Sequence, residues 1–144
     1  MGNYKQLGLG ALIDMMGGYR EEAILIKHYI DEKHRLTGLH LDDYEHLRLD
    51  FDNGQTLSFW DNGQSCCESR WMSTDDDLEH FVRARLVGVE ILCAPDEHRC
   101  PNEYSDVYEA QFLAVRTTKG VITCVNHLDH NGYYGGFSLR VRED

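Results

Sequence analysis

Residues 47–60 read LRLDFDNGQTLSFW and predict a β-hairpin. Residues 47–51 alternate apolar and charged side chains, which is the period-two pattern of a strand with one buried face. Asp52-Asn53-Gly54 is typical of two-residue hairpin loops, and residues 57–60 form the predicted return strand. Because Asp61-Asn62-Gly63 repeats the turn chemistry, the pattern predicts an antiparallel meander.

Other segments extend this prediction. Strand patterns occupy residues 36–41, 86–93, 109–116, 121–126 and 137–141. Thr74 is a suitable N-cap, with Asp77 three residues later, for a central helix that buries Leu78, Phe81 and Val82. Residues 21–34 have apolar residues at helical spacing, although a strand is an alternative there.

We therefore predict an α+β fold. It consists of a mostly antiparallel β-sheet, a meander or roll of six or seven strands, with one central helix and an N-terminal helix. The predicted division is an N-terminal helical extension at residues 1–34 and a β-rich domain at residues 35–144.

Composition restricts the classes of function. The 144 residues carry a formal net charge of −11, which argues against direct binding to nucleic-acid phosphates. No apolar run is long enough for a membrane span, and the first residues lack signal-peptide features, so we expect a cytoplasmic protein. The odd number of cysteines, without a Cys-x-x-Cys motif, suits reduced thiols.

The first segment with reactive side chains is residues 61–71, DNGQSCCESRW. Its candidate ligand-binding residues are Gln64, Cys66, Cys67, Glu68 and Arg70. A thiolate is a nucleophile and a soft metal ligand, and the Arg70 guanidinium would favour the thiolate or clamp a phosphate or carboxylate. The alternative is that the cysteines are buried core residues.

The second segment is residues 127–137, HLDHNGYYGGF. Its candidate ligand-binding residues are His127, His130, Asn131, Tyr133 and Tyr134. Histidine donates and accepts hydrogen bonds or acts as a base near pH 7, and the tyrosines would stack on a planar group. The alternative is a hairpin with an Asn-Gly turn and a glycine bulge.

Metal binding is a further alternative. Cys66, Cys67, His127 and His130 would supply the nitrogen and sulfur ligands of zinc, although paired cysteines at regular spacing are missing. The primary prediction is that the protein has no metal or other cofactor. The run Asp75–Asp77 is explained more simply by helix capping than by a bound cation.

Residues 61–78, DNGQSCCESRWMSTDDDL, and 130–137, HNGYYGGF, carry a family resemblance. The chain resembles small uncharacterised domain proteins of tailed bacteriophages and some bacteria, which share DNGQ-CCE-R, TDDDL and HNGYYGGF blocks. The resemblance covers residues 36–139. It implies a phage accessory protein that acts in the cytoplasm of the bacterial host, and some proteins of this kind counter host defence.

The sequence thus predicts a non-enzymatic binding protein. Residues 64–70 and 127–136 would meet to bind a small polar ligand, for example a nucleotide, or a host protein. One alternative is a hydrolase that depends on a Cys/His metal site or a reactive thiol. Another is an acidic inhibitor that imitates nucleic acid. Neither direct nucleic-acid binding nor a membrane partner is expected, and a homo-oligomer is left open.

Overall fold

The computed structural model describes residues 5–7, 20–63, 68–93, 107–130 and 137–144. The elements, in chain order, are β1 (Lys5–Leu7), α1 (Arg20–Asp31), β2 (Leu36–Asp42), β3 (His46–Phe51), β4 (Thr56–Asp61), β5 (Ser69–Thr74), β6 (Leu86–Cys93), β7 (Val107–Thr117), β8 (Gly120–His130) and β9 (Leu139–Glu143). A mostly antiparallel β-sheet fold with a helix is therefore confirmed. The described residues form nine strands rather than six or seven.

The strands form two sheets. Sheet I has the order β1-β6-β7-β8-β5, and sheet II has the order β2-β3-β4-β9. The predicted meander is correct for β2 to β4 but wrong beyond β4, because β5 pairs with β8 in sheet I. At the end of β4, Asp61 Oδ1 accepts hydrogen bonds from the N–H groups of Gly63 and Ser138. These bonds hold the chain away from a β4–β5 hairpin and bring the start of β9 to β4.

The hairpin predicted at residues 47–60 is confirmed, but its loop has three residues rather than two. Gly54 N–H donates to the Phe51 carbonyl at 3.1 Å, and Phe51 N–H donates to the Gln55 carbonyl at 2.9 Å. Gly54 has φ +81°, whereas Asn53 does not have a positive φ. The loop is thus a type I turn followed by a left-handed glycine. Asn53 contributes by accepting the Gln55 N–H with its side-chain oxygen.

The two sheets and α1 enclose one main hydrophobic core. Leu49 and Leu57 of sheet II share this core with Ile91 and Ile122 of sheet I. The helix predicted over residues 21–34 corresponds to α1, whose Tyr29 is fully buried. Burial, followed by the hydrogen bond to Glu143, raises the pKa of the Tyr29 phenol to about 12. Its hydroxyl therefore stays protonated and donates to the Glu143 carboxylate.

The prediction of a central helix that begins at Thr74 is wrong, because the observed helical segment is much shorter and begins later. Thr74 ends β5, where its hydroxyl donates to the Thr123 carbonyl at 2.7 Å, and Asp76 accepts the Thr123 N–H at 2.7 Å. These bonds to β8 hold residues 74–76 outside any helix, and Asp77 makes no side-chain capping bond. Only Leu78–Phe81 coil, as one turn of 3₁₀ helix, which buries Phe81 as predicted.

We expect Gly54→Ala to lower the free energy of unfolding by about 1 kcal/mol, because a left-handed backbone is strained once a Cβ is present. No atom lies within 4 Å of the position that this Cβ would occupy, so the effect comes from the backbone. Gly54→Asn should destabilise less, since asparagine tolerates this conformation. Urea denaturation of the three proteins checks the order, and an alanine variant as stable as the parent would contradict it.

Candidate functional site

The pairing of β5 with β8 brings the described ends of the two predicted site segments together. Trp71 lies opposite His127, and Arg70 lies opposite Leu128. Because successive side chains of a strand point to opposite faces, Arg70 and His127 lie on different faces of sheet I. We call the face packed against sheet II the inner face and the other the outer face. The described parts of the two segments thus contribute to two groups of side chains rather than to one cavity.

Several predicted site residues lie outside the described residues. They are Gln64, Cys66, Cys67, Asn131, Tyr133 and Tyr134, together with the side chain of His130. Their predicted roles stay predictions. β8 continues through His130, so His127 is a strand residue rather than part of a turn.

On the inner face, Arg70 forms a buried cluster with two carboxylates. Its Nη1 lies 2.7 Å from Asp61 Oδ2, and its Nε lies 3.0 Å from Glu68 Oε2. The side chains of Arg70 and Asp61 are 9% exposed, and that of Glu68 is 1% exposed. Desolvation lowers the pKa of Arg70, but the hydrogen bonds and charges of Glu68 and Asp61 raise it above its usual value overall. Arg70 is therefore a fixed cation that links β5 of sheet I to the end of β4 in sheet II.

Gly63 allows this arrangement. A Cβ at residue 63 would lie 2.5 Å from Arg70 Cζ, which is closer than two carbon atoms can approach. The backbone of the turn after β4 thus packs directly against the guanidinium. Because Asp61 also binds the Gly63 N–H, the turn and the charged cluster fix each other's position.

A cavity of about 120 Å³ lies between the sheets beside this cluster. It is lined by Glu45, His46, Trp60, Asp61, Arg70, Trp71, Met72 and Asn126. Asn126 is 1% exposed, and among the described residues neither its amide oxygen nor its amide nitrogen has a hydrogen-bond partner. An unpaired buried polar group of this kind costs about 1–3 kcal/mol and requires an explanation.

On the outer face, His127 is the centre of a second group. Its Nε2 lies 2.7 Å from Ser73 Oγ, and its Nδ1 lies 2.5 Å from the Tyr108 hydroxyl. The Trp71 ring stacks on the imidazole, with centroids 4.7 Å apart and planes 6° from parallel. Desolvation by burial lowers the pKa of His127, which favours the neutral imidazole. A neutral histidine bonded to a hydroxyl is suited to accept a proton from it.

The described residues do not assemble a metal centre. No group of three or more His, Cys, Asp or Glu side chains among them is placed to hold a metal ion. Within the same part of the chain, Cys124 is buried, and burial raises the pKa of its thiol to about 12. This cysteine is therefore a neutral core residue at pH 7. No described helix has the length and apolar character required to cross a bilayer.

Sequence reasoning missed Asn126, Ser73 and Tyr108 as site residues. The signal for Asn126 was its position in β8, where it falls on the same face as Cys124 and Leu128. A polar residue in such an apolar row is a sequence-level sign of a special role. Ser73 and Tyr108 carried no comparable signal, because their contacts with His127 depend on strand register.

Because burial lowers the pKa of His127, the stability of the folded protein should depend on pH. In the unfolded chain histidine binds a proton near pH 6.5, but burial opposes this in the folded protein. Stability should therefore fall as the pH decreases from about 6.5 toward the lower folded pKa. We expect His127→Gln to lose less stability than the parent between about pH 8 and pH 5.5, as measured by urea denaturation. Equal losses in both proteins would show that His127 does not resist protonation.

Comparison with known proteins matches residues 22–139 to a family described as a domain of unknown function, DUF7448. The matched region extends from α1 to the first residue of β9 and includes both groups of polar side chains. No curated protein and no solved structure matches the chain. The family match covers most of the sequence, and the chain therefore belongs to the DUF7448 family, a domain of unknown function.

Proposed function

We propose that the protein binds a small polar ligand, without transforming it, in the cavity between the two sheets. The observation that carries this proposal is the amide of Asn126, which is buried, lines the cavity and has no hydrogen-bond partner among the described residues. A bound ligand would supply the missing partners. Binding sites of this kind are mostly apolar with a few well-placed polar groups.

The size of the cavity favours a small molecule over a protein loop. A volume of about 120 Å³ corresponds to roughly four water molecules. One planar group would fit there, while the rest of a larger ligand would stay in solvent. In the phage setting implied by the sequence resemblance, such a protein would capture a small molecule of the bacterial host and so counter a host defence.

Isothermal titration of the whole chain tests this proposal. The panel contains nucleobases, nucleosides, nucleotides and carboxamides. We expect saturable binding of at least one member with a dissociation constant below about 1 mM, equivalent to roughly −4 kcal/mol. In amide NMR spectra the shifts should be concentrated at Arg70, Met72 and Asn126. Val125→Ala is the matched control, because Val125 neighbours Asn126 but lies on the outer face; it should bind normally. No binding by any member would contradict the proposal.

A second candidate function rests on the outer-face group. We propose serine-dependent acyl transfer, in which Ser73 is the nucleophile and His127 is the base. As Ser73 Oγ bonds to the carbonyl carbon of an ester, its proton passes to His127 Nε2 and then to the departing alcohol. Water afterwards releases the acyl group. The 2.7 Å contact between Ser73 and His127 favours this chemistry, with Tyr108 orienting the imidazole. Here the reactive group is a serine in place of the predicted cysteine.

A fluorophosphonate probe tests the second candidate, since it reacts covalently with activated serine hydroxyls. We expect labelling of the parent protein and loss of labelling in Ser73→Ala and His127→Gln. The matched control is Ser69→Ala, because Ser69 is an exposed serine on the same strand. An unlabelled parent protein, or labelling that survives in Ser73→Ala, would rule out this candidate. The acidic nucleic-acid mimic remains a prediction from the sequence alone.

A further inference from the structure

We infer that the ligand presents a neutral amide-like edge to Asn126, with a hydrogen-bond acceptor beside a donor, as in a nucleobase or a carboxamide. Phosphate and carboxylate groups would be excluded from the cavity. This inference rests on the proposed binding function and specifies its ligand class. It assigns selectivity to Asn126 rather than to Arg70.

The neighbours of Asn126 along the inner face of β8 are apolar. Cys124 and Leu128 are its neighbours on that face of β8, and both are fully buried. Met72, opposite Asn126 on β5, is also buried. Gln111, opposite Asn126 on β7, is a buried polar neighbour on the same face, but neither amide atom of Asn126 is hydrogen-bonded to it or to another described residue. Because Asn126 also lines the cavity, a ligand there would supply partners for both amide atoms.

The amide itself specifies a two-point partner. Its oxygen accepts a hydrogen bond and its nitrogen donates. A single ligand group that satisfies both must carry a donor next to an acceptor. Asparagine pairs in this way with the adenine edge that carries an amino group and a ring nitrogen. A primary carboxamide offers the same pattern.

Charge in the cavity disfavours an anion. Arg70 lies against Asp61 and Glu68, so its positive charge is already matched by carboxylates. Glu45 also lines the cavity. Two carboxylates thus bond to the one guanidinium and a third, that of Glu45, lines the cavity, so an incoming phosphate would meet net negative charge. The sequence prediction that Arg70 clamps a phosphate is therefore not the form of binding that we propose.

Paired ligands test this inference by isothermal titration. Adenine is compared with purine, which lacks the amino donor, and nicotinamide with nicotinate, which replaces the amide by a carboxylate. We expect adenine or nicotinamide to bind at least about tenfold more tightly than its partner, which is the effect of losing one or two hydrogen bonds. Tighter binding of nicotinate, or equal binding within both pairs, would overturn the inference.

The variant Asn126→Leu separates a binding role from a structural one. Leucine has a similar shape without polar atoms, so we expect an unfolding transition in urea at the same or a higher midpoint, together with at least tenfold weaker binding of the preferred ligand. A lower midpoint would show that the amide has a structural partner, and unchanged binding would show that Asn126 does not select the ligand. Either result overturns the inference.

The outcomes distinguish the inference from the proposed function. If a nucleotide or another panel member binds and its affinity survives Asn126→Leu, the protein is a binding protein and the inference alone fails. If no panel member binds the parent protein, the proposed function fails and the inference fails with it. Val125→Ala again serves as the control and should keep both the affinity and the ligand preference of the parent.

Discussion

Both groups of polar side chains depend on the register between β5 and β8. This register places Arg70, Met72 and Asn126 on the inner face and His127 on the outer face. A shift of β5 by one residue would move Arg70 and Met72 to the outer face and away from Asn126. The bonds that Thr123 makes with Thr74 and Asp76 secure the register at one end of the pair. At mid-strand, Met72 N–H donates to the Tyr44 carbonyl at 2.6 Å, which ties β5 to the β2–β3 turn.

The charged cluster of Arg70, Asp61 and Glu68 fixes how closely the two sheets approach each other. Asp61 belongs to sheet II and Arg70 to sheet I, so their ion pair crosses the space between the sheets. Burying such charges costs several kcal/mol per ion, and apolar residues of similar volume would often be as stable. The cluster is therefore better explained by the geometry it imposes than by net stabilisation. Two of its members, Asp61 and Arg70, line the cavity.

The sequence predicted local structure well where one face of a strand is apolar and the turn chemistry is strong, as in residues 47–60. It failed where contacts distant in sequence decide the conformation. Thr74 has the features of an N-cap, but its bonds to β8 place it at the end of a strand. β5 was not predicted because its two apolar residues, Trp71 and Met72, are adjacent and lie on opposite faces, so the strand lacks a period-two apolar pattern. The cavity could not be predicted either, since it requires the chain to pass from sheet II at β4 to sheet I at β5.

Asn126 makes the strongest argument that the inner face serves more than folding. An apolar residue at this position would continue the row formed by Cys124 and Leu128 and would avoid an unpaired amide. The penalty of that amide, about 1–3 kcal/mol, is a substantial part of the 5–15 kcal/mol by which domains are stable. A ligand that pairs with the amide recovers this free energy only when it is bound. The residue that weakens the empty protein is thus the one that strengthens the complex, and this difference is what gives a small cavity selectivity.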